Sequence, residues 1–129
     1  MILANFAVFE GIDGTGTTTQ LNLLRDRFNA RYGDRESPAV FTCEPTGGEI
    51  GKLIRRALRG ELVYTPETMA RLFAADRGEH IYGIDGIERL VTSGKAVFSD
   101  RYLFSGLAYQ SDAGNRELSA QLNKDFPLP

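Results

Sequence analysis

The residues with the clearest chemical potential form the run Gly11-Ile12-Asp13-Gly14-Thr15-Gly16-Thr17-Thr18. Glycines at this spacing let a backbone curl so that successive N–H groups point inward, and a helix beginning at the end of the curl adds its positive dipole. Phosphate oxygens are held by such a loop without help from side chains. Gly11, Gly14, Thr15, Gly16, Thr17, Thr18 and Thr19 are therefore the candidate phosphate-binding residues, and Thr18 is placed to offer its hydroxyl to Mg²⁺. Position 17, where these loops usually carry lysine, holds threonine. A charged hydrogen bond contributes about 1.5–3 kcal/mol and a neutral one about 0.5–1.5, so the exchange is expected to weaken contact with the outer phosphates without abolishing the cradle.

A second group is Asp100-Arg101, directly after the apolar run Ala96-Val97-Phe98-Ser99. Phosphoryl transfer is mostly alignment and charge neutralisation, and a fixed Arg fork facing a phosphate loop suits it. An ion pair between Arg101 and its neighbour Asp100 is the plainer alternative. Phe73 and Arg77 stand four residues apart and share a face if their segment is helical, offering a ring to stack on a base and a planar donor fork beside it. Core packing of Phe73, or pairing of Arg77 with Glu79 or solvent, would account for the same residues. His80 has no second His or Cys to share a metal and reads as structural. Arg55, Arg56 and Arg59 read as a solvated face, and Cys43 as a small buried thiol.

Elements must position these groups. Phe6-Ala7-Val8-Phe9 has no polar alternation, which predicts a strand buried on both faces of a parallel sheet. Leu21, Leu24, Phe28 and Tyr32 follow at helical spacing up to Gly33. Ala39 to Thr42 repeats the strand pattern, and Ile50, Leu53, Ile54, Ala57 and Leu58 form a helical stripe closed by Gly60. Thr65-Pro66-Glu67 reads as a cap, a first-turn proline and a first-turn acid opening a helix through Met69, Leu72 and Phe73. A further helix is expected from Ile84 to Val91, then the strand at Ala96–Ser99, and a last amphipathic stretch carries Leu118 and Leu122. Strands alternating with helices predict an α/β domain with a parallel sheet, which binds ligands at the carboxyl edge of its strands.

The 129 residues carry 15 Lys+Arg against 17 Asp+Glu, a net charge of −2, and 42% are apolar. That balance argues against binding a nucleic acid polymer, and no run approaches the ~20 apolar residues of a membrane span. Met1-Ile2-Leu3-Ala4-Asn5 lacks the basic start of a secretory leader, and one cysteine forms no internal disulfide, so a cytoplasmic protein is expected.

FAVFEGIDGTGTTTQ at 6–20, LFAADR at 72–77, DRYLFSGLAYQ at 100–110 and Glu44-Pro45 occur together and in order. The combination resembles the thymidylate kinase family across essentially the whole chain. The resemblance implies a three-layer phosphate-loop NTPase domain of the nucleoside monophosphate kinase type, spanning residues 1–129. It implies transfer of the γ-phosphate of ATP to thymidine 5′-monophosphate, with Mg²⁺, giving the diphosphate for dTTP biosynthesis. A cytoplasmic homodimer is expected of the full-length form.

By this resemblance Arg101 grips the acceptor phosphate, while Asp100 and Asp13 lie near the metal and the reacting groups. Asp13, Phe73, Arg77, Arg101, Ser105 and Tyr109 would line the thymidylate site, and Thr18 and Asp100 would hold the metal. Family members run on to a fourth strand, a basic lid and a last strand and helix. The chain therefore looks like an amino-terminal portion in which the strand at 6–9 lies at the sheet edge, and instability or self-association is expected of it. Two alternatives stay open: a nucleotide-binding module with weak or no kinase activity, or a different phosphate-loop kinase of nucleosides or small molecules.

Overall fold

The computed structural model describes residues 1–111 and 115–129, with the side chains at 109–111 outside the description. Three strands, β1 (Phe6–Phe9), β2 (Ala39–Cys43) and β3 (Ala96–Asp100), form a parallel sheet in the order β1-β3-β2. The helices are α1 (Thr17–Tyr32), α2 (Glu49–Leu58), α3 (Pro66–Tyr82), α4 (Ile87–Thr92), α5 (Leu103–Ser111) and α6 (Arg116–Asn123).

Register decides which residue faces which layer. Phe6 pairs Val97 and Val97 pairs Val40, so these three form one row; Ala7, Phe98 and Phe41 form the next. Side chains of successive rows point to opposite faces. The first row packs into the core with Ile81 of α3, Ile87 of α4 and Leu103 of α5. The second meets α1, where the Phe28 ring lies 5.9 Å from Phe41 and 6.0 Å from Phe98. Helices on both faces make three layers, as expected. The same alternation sends the fourth row, Phe9, Asp100 and Cys43, to the α1 face, and the third, Val8, Ser99 and Thr42, to the α3 face.

Two local expectations are corrected. β1 is not buried on both faces: Ala7 is exposed, because β1 is the edge of this sheet and the Phe28 ring sits over β2 and β3 instead. The fourth helix begins at Ile87 rather than Ile84; Gly83 and Gly86 close a turn (N–H to carbonyl, 2.9 Å) that leaves Ile84 exposed. Helix α5 adds to the expected elements, and no capping residue type immediately precedes Leu103 to announce it. Beside the sheet, Leu128 forms a parallel bridge with Ile2.

Candidate active site

The glycine loop has the shape its sequence predicts. Gly14 and Gly16 take φ values of 84° and 85°, where a Cβ is strained, and Gly16 leads directly into α1. Gly11 is required for a different reason: a Cβ there would stand 2.4 Å from Thr15 Oγ1. That hydroxyl donates to the Ile12 carbonyl at 2.8 Å and closes the turn. No side chain caps α1 at Gly16, so its first N–H groups are left for an anion. Thr18 and Thr19 are exposed and Thr17 is half-buried.

Asp100, at the carboxyl end of β3, faces α1 and accepts the Thr18 hydroxyl at 2.5 Å through Oδ2. Its other oxygen, Oδ1, is buried without a hydrogen-bond partner among the described residues. A buried carboxylate oxygen without a donor is costly unless a cation or water meets it. A hard oxygen-seeking ion such as Mg²⁺ fits that pair of oxygens. Among the described residues there is no group of three or more His, Cys, Asp or Glu able to hold a metal. Mg²⁺ suits such a sparse site, since it takes one or two protein oxygens and completes its shell with water and substrate phosphates.

Arg101 does not pair with Asp100. Its Nη2 donates to Asp13 Oδ1 at 2.5 Å, and its Nη1 lies 3.5 Å from Ser105 Oγ. Its backbone has φ 70°, a left-handed conformation that costs a side-chain-bearing residue about 1–2 kcal/mol. The surroundings impose it. The Arg101 N–H bonds the Phe9 carbonyl at 2.9 Å, and the next turn is held by Glu10. That carboxylate accepts the N–H groups of Tyr102 (3.0 Å), Phe104 (3.2 Å) and Ser105 (3.1 Å), and the Ser105 hydroxyl as well. Glu10 is thus the missing cap of α5, an anion at a helix N-terminus. Sequence reasoning missed it because its partners lie 92 to 95 positions away.

A cleft of about 610 Å³ opens beside this turn and is lined by Asp13, Phe73, Arg77, Arg101 and Ser105, the predicted residues whose side chains are described. The Tyr109 side chain lies outside the described residues. Tyr64 and Met69 also line the cleft without having been singled out.

Arg77 is not paired with Glu79 or solvent. Its side chain is 1% exposed, and Nε and Nη2 both donate to Oε2 of Glu44, at 3.0 and 2.7 Å. Nη2 also reaches the Tyr102 carbonyl at 3.1 Å, and Nη1 donates to Asn123. The guanidinium lies 5.2 Å from the centre of the Tyr102 ring. Burial pushes the Tyr102 phenol well above its usual value; the Glu44 carboxylate adds to this and the Arg77 charge opposes it.

The segment after β2 is fixed from several sides. Asp76 accepts the N–H and hydroxyl of Thr46 at 2.7 and 2.6 Å. Arg55, expected on a solvated face, instead donates to the carbonyls of Pro45 and Thr46. Arg56 and Arg59 do stay at the surface, paired with Glu61. Cys43 is half-buried rather than buried, and its sulfur accepts from Arg55 at 3.5 Å. None of these partnerships follows a local spacing rule, so no sequence signal was available for them.

Comparison with known proteins agrees with this geometry. The family model described as thymidylate kinase matches residues 9–129. A Treponema pallidum (strain Nichols) protein bearing that name is 52% identical over 128 residues, 99% of this chain and 59% of its own length. A Methanococcus aeolicus protein bearing it is 43% identical over 125 residues, 96% of this chain and 57% of its own. The crystal structure of thymidylate kinase from Ehrlichia chaffeensis superposes with a TM-score of 0.75 at 34% identity, over 92% of this chain and 66% of that one. The chain spans under two thirds of these relatives' lengths, but the match runs through every element that builds the loop, the Asp100-Arg101 turn and the cleft. The chain belongs to the thymidylate kinase family.

Proposed function

We propose that the protein to which this chain belongs transfers the γ-phosphoryl group of ATP to thymidine 5′-monophosphate, giving the diphosphate. The observation that carries this is the convergence of Asp13, Phe73, Arg77, Arg101 and Ser105 on one cleft beside the glycine loop. Phe73 brings a ring and Arg101 a charged fork to the same cleft, which suits a flat base and a phosphate on one ligand. The loop then takes the donor phosphates on the α1 N-terminus. Strain at Arg101 serves this division of labour, since a left-handed residue held by β1 and α5 turns its side chain across the sheet edge.

Thr18 and Asp100 are the residues that would hold Mg²⁺, the buried Oδ1 of Asp100 supplying an oxygen without a competing donor. Bound there, Mg²⁺ would supply neutralisation of phosphate charge. Asp13 holds the Arg101 fork before the acceptor phosphate arrives, and Ser105 sits within 3.5 Å of its Nη1. A homodimer and a cytoplasmic location belong to this proposal on the strength of the family resemblance, and the acidic balance favours small anionic ligands over a nucleic acid polymer.

Arg101→Ala tests the assignment. Titration calorimetry is expected to give 10- to 150-fold weaker thymidylate binding, about 1.5–3 kcal/mol, with ATP affinity little changed. Unchanged thymidylate affinity would remove Arg101 from the acceptor site.

A further inference from the structure

Arg77 is a fully buried cation whose direction depends on its partners. Of its five N–H groups, Nε and one Nη2 hydrogen go to Glu44, the other Nη2 hydrogen to the Tyr102 carbonyl, and one Nη1 hydrogen to Asn123. Among the described residues the second Nη1 hydrogen has no acceptor, and Arg77 lines the cleft. The guanidinium also lies beside Gly106, where a Cβ would stand 3.1 Å from Nη2. Both of its bonds to Glu44 converge on the single oxygen Oε2, so the position of the fork follows that oxygen.

Glu44 is itself held at its far oxygen. Oε1 lies 2.9 Å from His80 Nδ1, and His80 Nε2 lies 2.8 Å from Thr42 Oγ1. An ionised carboxylate only accepts, so geometry assigns the proton to Nδ1 and leaves Nε2 to accept the Thr42 hydroxyl in the neutral ring. Thr42 belongs to the row of the sheet that faces α3, which anchors the far end of this chain in β2. His80 is one turn beyond Arg77 on α3 yet does not line the cleft.

We propose that His80 is a positioning residue for base selection: by holding Glu44 Oε1 through Nδ1–H, it sets the direction in which Arg77 offers its last hydrogen to the base edge of the nucleotide. This rests on reading Phe73 and Arg77 as the base-recognising pair. The histidine read as merely structural in the sequence is then the link between the sheet and that pair.

The test is calorimetry of thymidylate and deoxycytidylate binding to the wild-type chain and to His80→Ala, His80→Asn, His80→Gln and Phe73→Ala, with folding checked by circular dichroism. The amide of asparagine stands in for Nδ1–H, whereas that of glutamine stands in for Nε2. The preference for thymidylate is expected to fall about tenfold in His80→Ala and His80→Gln, the scale of one hydrogen bond, and to stay within about threefold of wild type in His80→Asn. If His80→Ala does not fold, the contrast between the Asn and Gln variants carries the test. Equal losses in Asn and Gln variants, or no loss in either, would overturn the proposal. Loss in Phe73→Ala alone would leave the cleft reading standing and remove His80 from it. An unchanged preference in Phe73→Ala, or no thymidylate binding by the wild-type chain, would overturn both.

Discussion

The glycine loop and the cleft beside it lie at the same edge of one sheet and are built by opposite means. The loop is backbone: two left-handed glycines, a third with no room for a Cβ, and an uncapped helix end, with Thr18 and Thr19 exposed beside them. The cleft is side chain: Arg77 and Glu44, 1% and 5% exposed, engaged with each other and with Tyr102, Asn123 and His80. A phosphate-binding backbone needs only shape and tolerates mild substitution of its neighbours. A buried ion pair needs every partner, because removing one leaves an uncompensated charge in a low-dielectric interior.

The contrast is broken or sharpened most strongly at Glu44. Glu44→Ala leaves the Arg77 guanidinium buried and unpaired, and a loss of about 3–5 kcal/mol is expected in a denaturant melt. A loss under 1 kcal/mol would mean that the cleft relaxes as readily as the loop. Gly14→Ala comes next. Its φ of 84° strains any Cβ, but nothing stands within 4 Å of one, so only the backbone penalty of about 1–2 kcal/mol is expected, again read by denaturant.

The smallest effect lies outside both regions, at the Glu36–Lys95 surface pair, 2.6 Å apart. Hydrogen bonding and then charge attraction from Lys95 hold the Glu36 carboxyl below its usual range. A depressed value in the folded state stabilises above the unfolded value and is lost as the pH falls through the folded one. The stability difference between wild type and Lys95→Met should therefore shrink as the pH is lowered below the ordinary glutamate range of about 4.3, and should also shrink with added salt. A difference independent of pH would assign it to the Lys95 bond with the Ser37 carbonyl instead.

Legibility in the sequence divides along the same line. Three strands, the loop and the Thr65 cap of α3, whose hydroxyl accepts the Thr68 N–H at 3.2 Å, are local patterns and could be read directly. The edge position of β1 also followed from the family resemblance. Helix α5 could not be read locally, because its cap, Glu10, sits at the end of β1. Phe73, Arg77, Asp13 and Arg101 could be singled out from the sequence, and one cleft brings them together, but their partners could not be read. Glu44 is 33 positions from Arg77, and Asp13 is 88 from Arg101, separations at which no periodicity speaks.

The strand order has a consequence for the way the chain assembles. β3 is the middle strand, yet it is the last of the three to be synthesised, and among the described residues the first two pair only with β3. Until residues 96–100 have been made, neither Phe6–Phe9 nor Ala39–Cys43 has a ladder to join, and their apolar side chains have only nascent helices to lie against. Pairing of β1 with β3 therefore closes a loop of about ninety residues, a non-local contact of the kind that slows folding. Growing chains shorter than that are the species most exposed to chaperones and to aggregation.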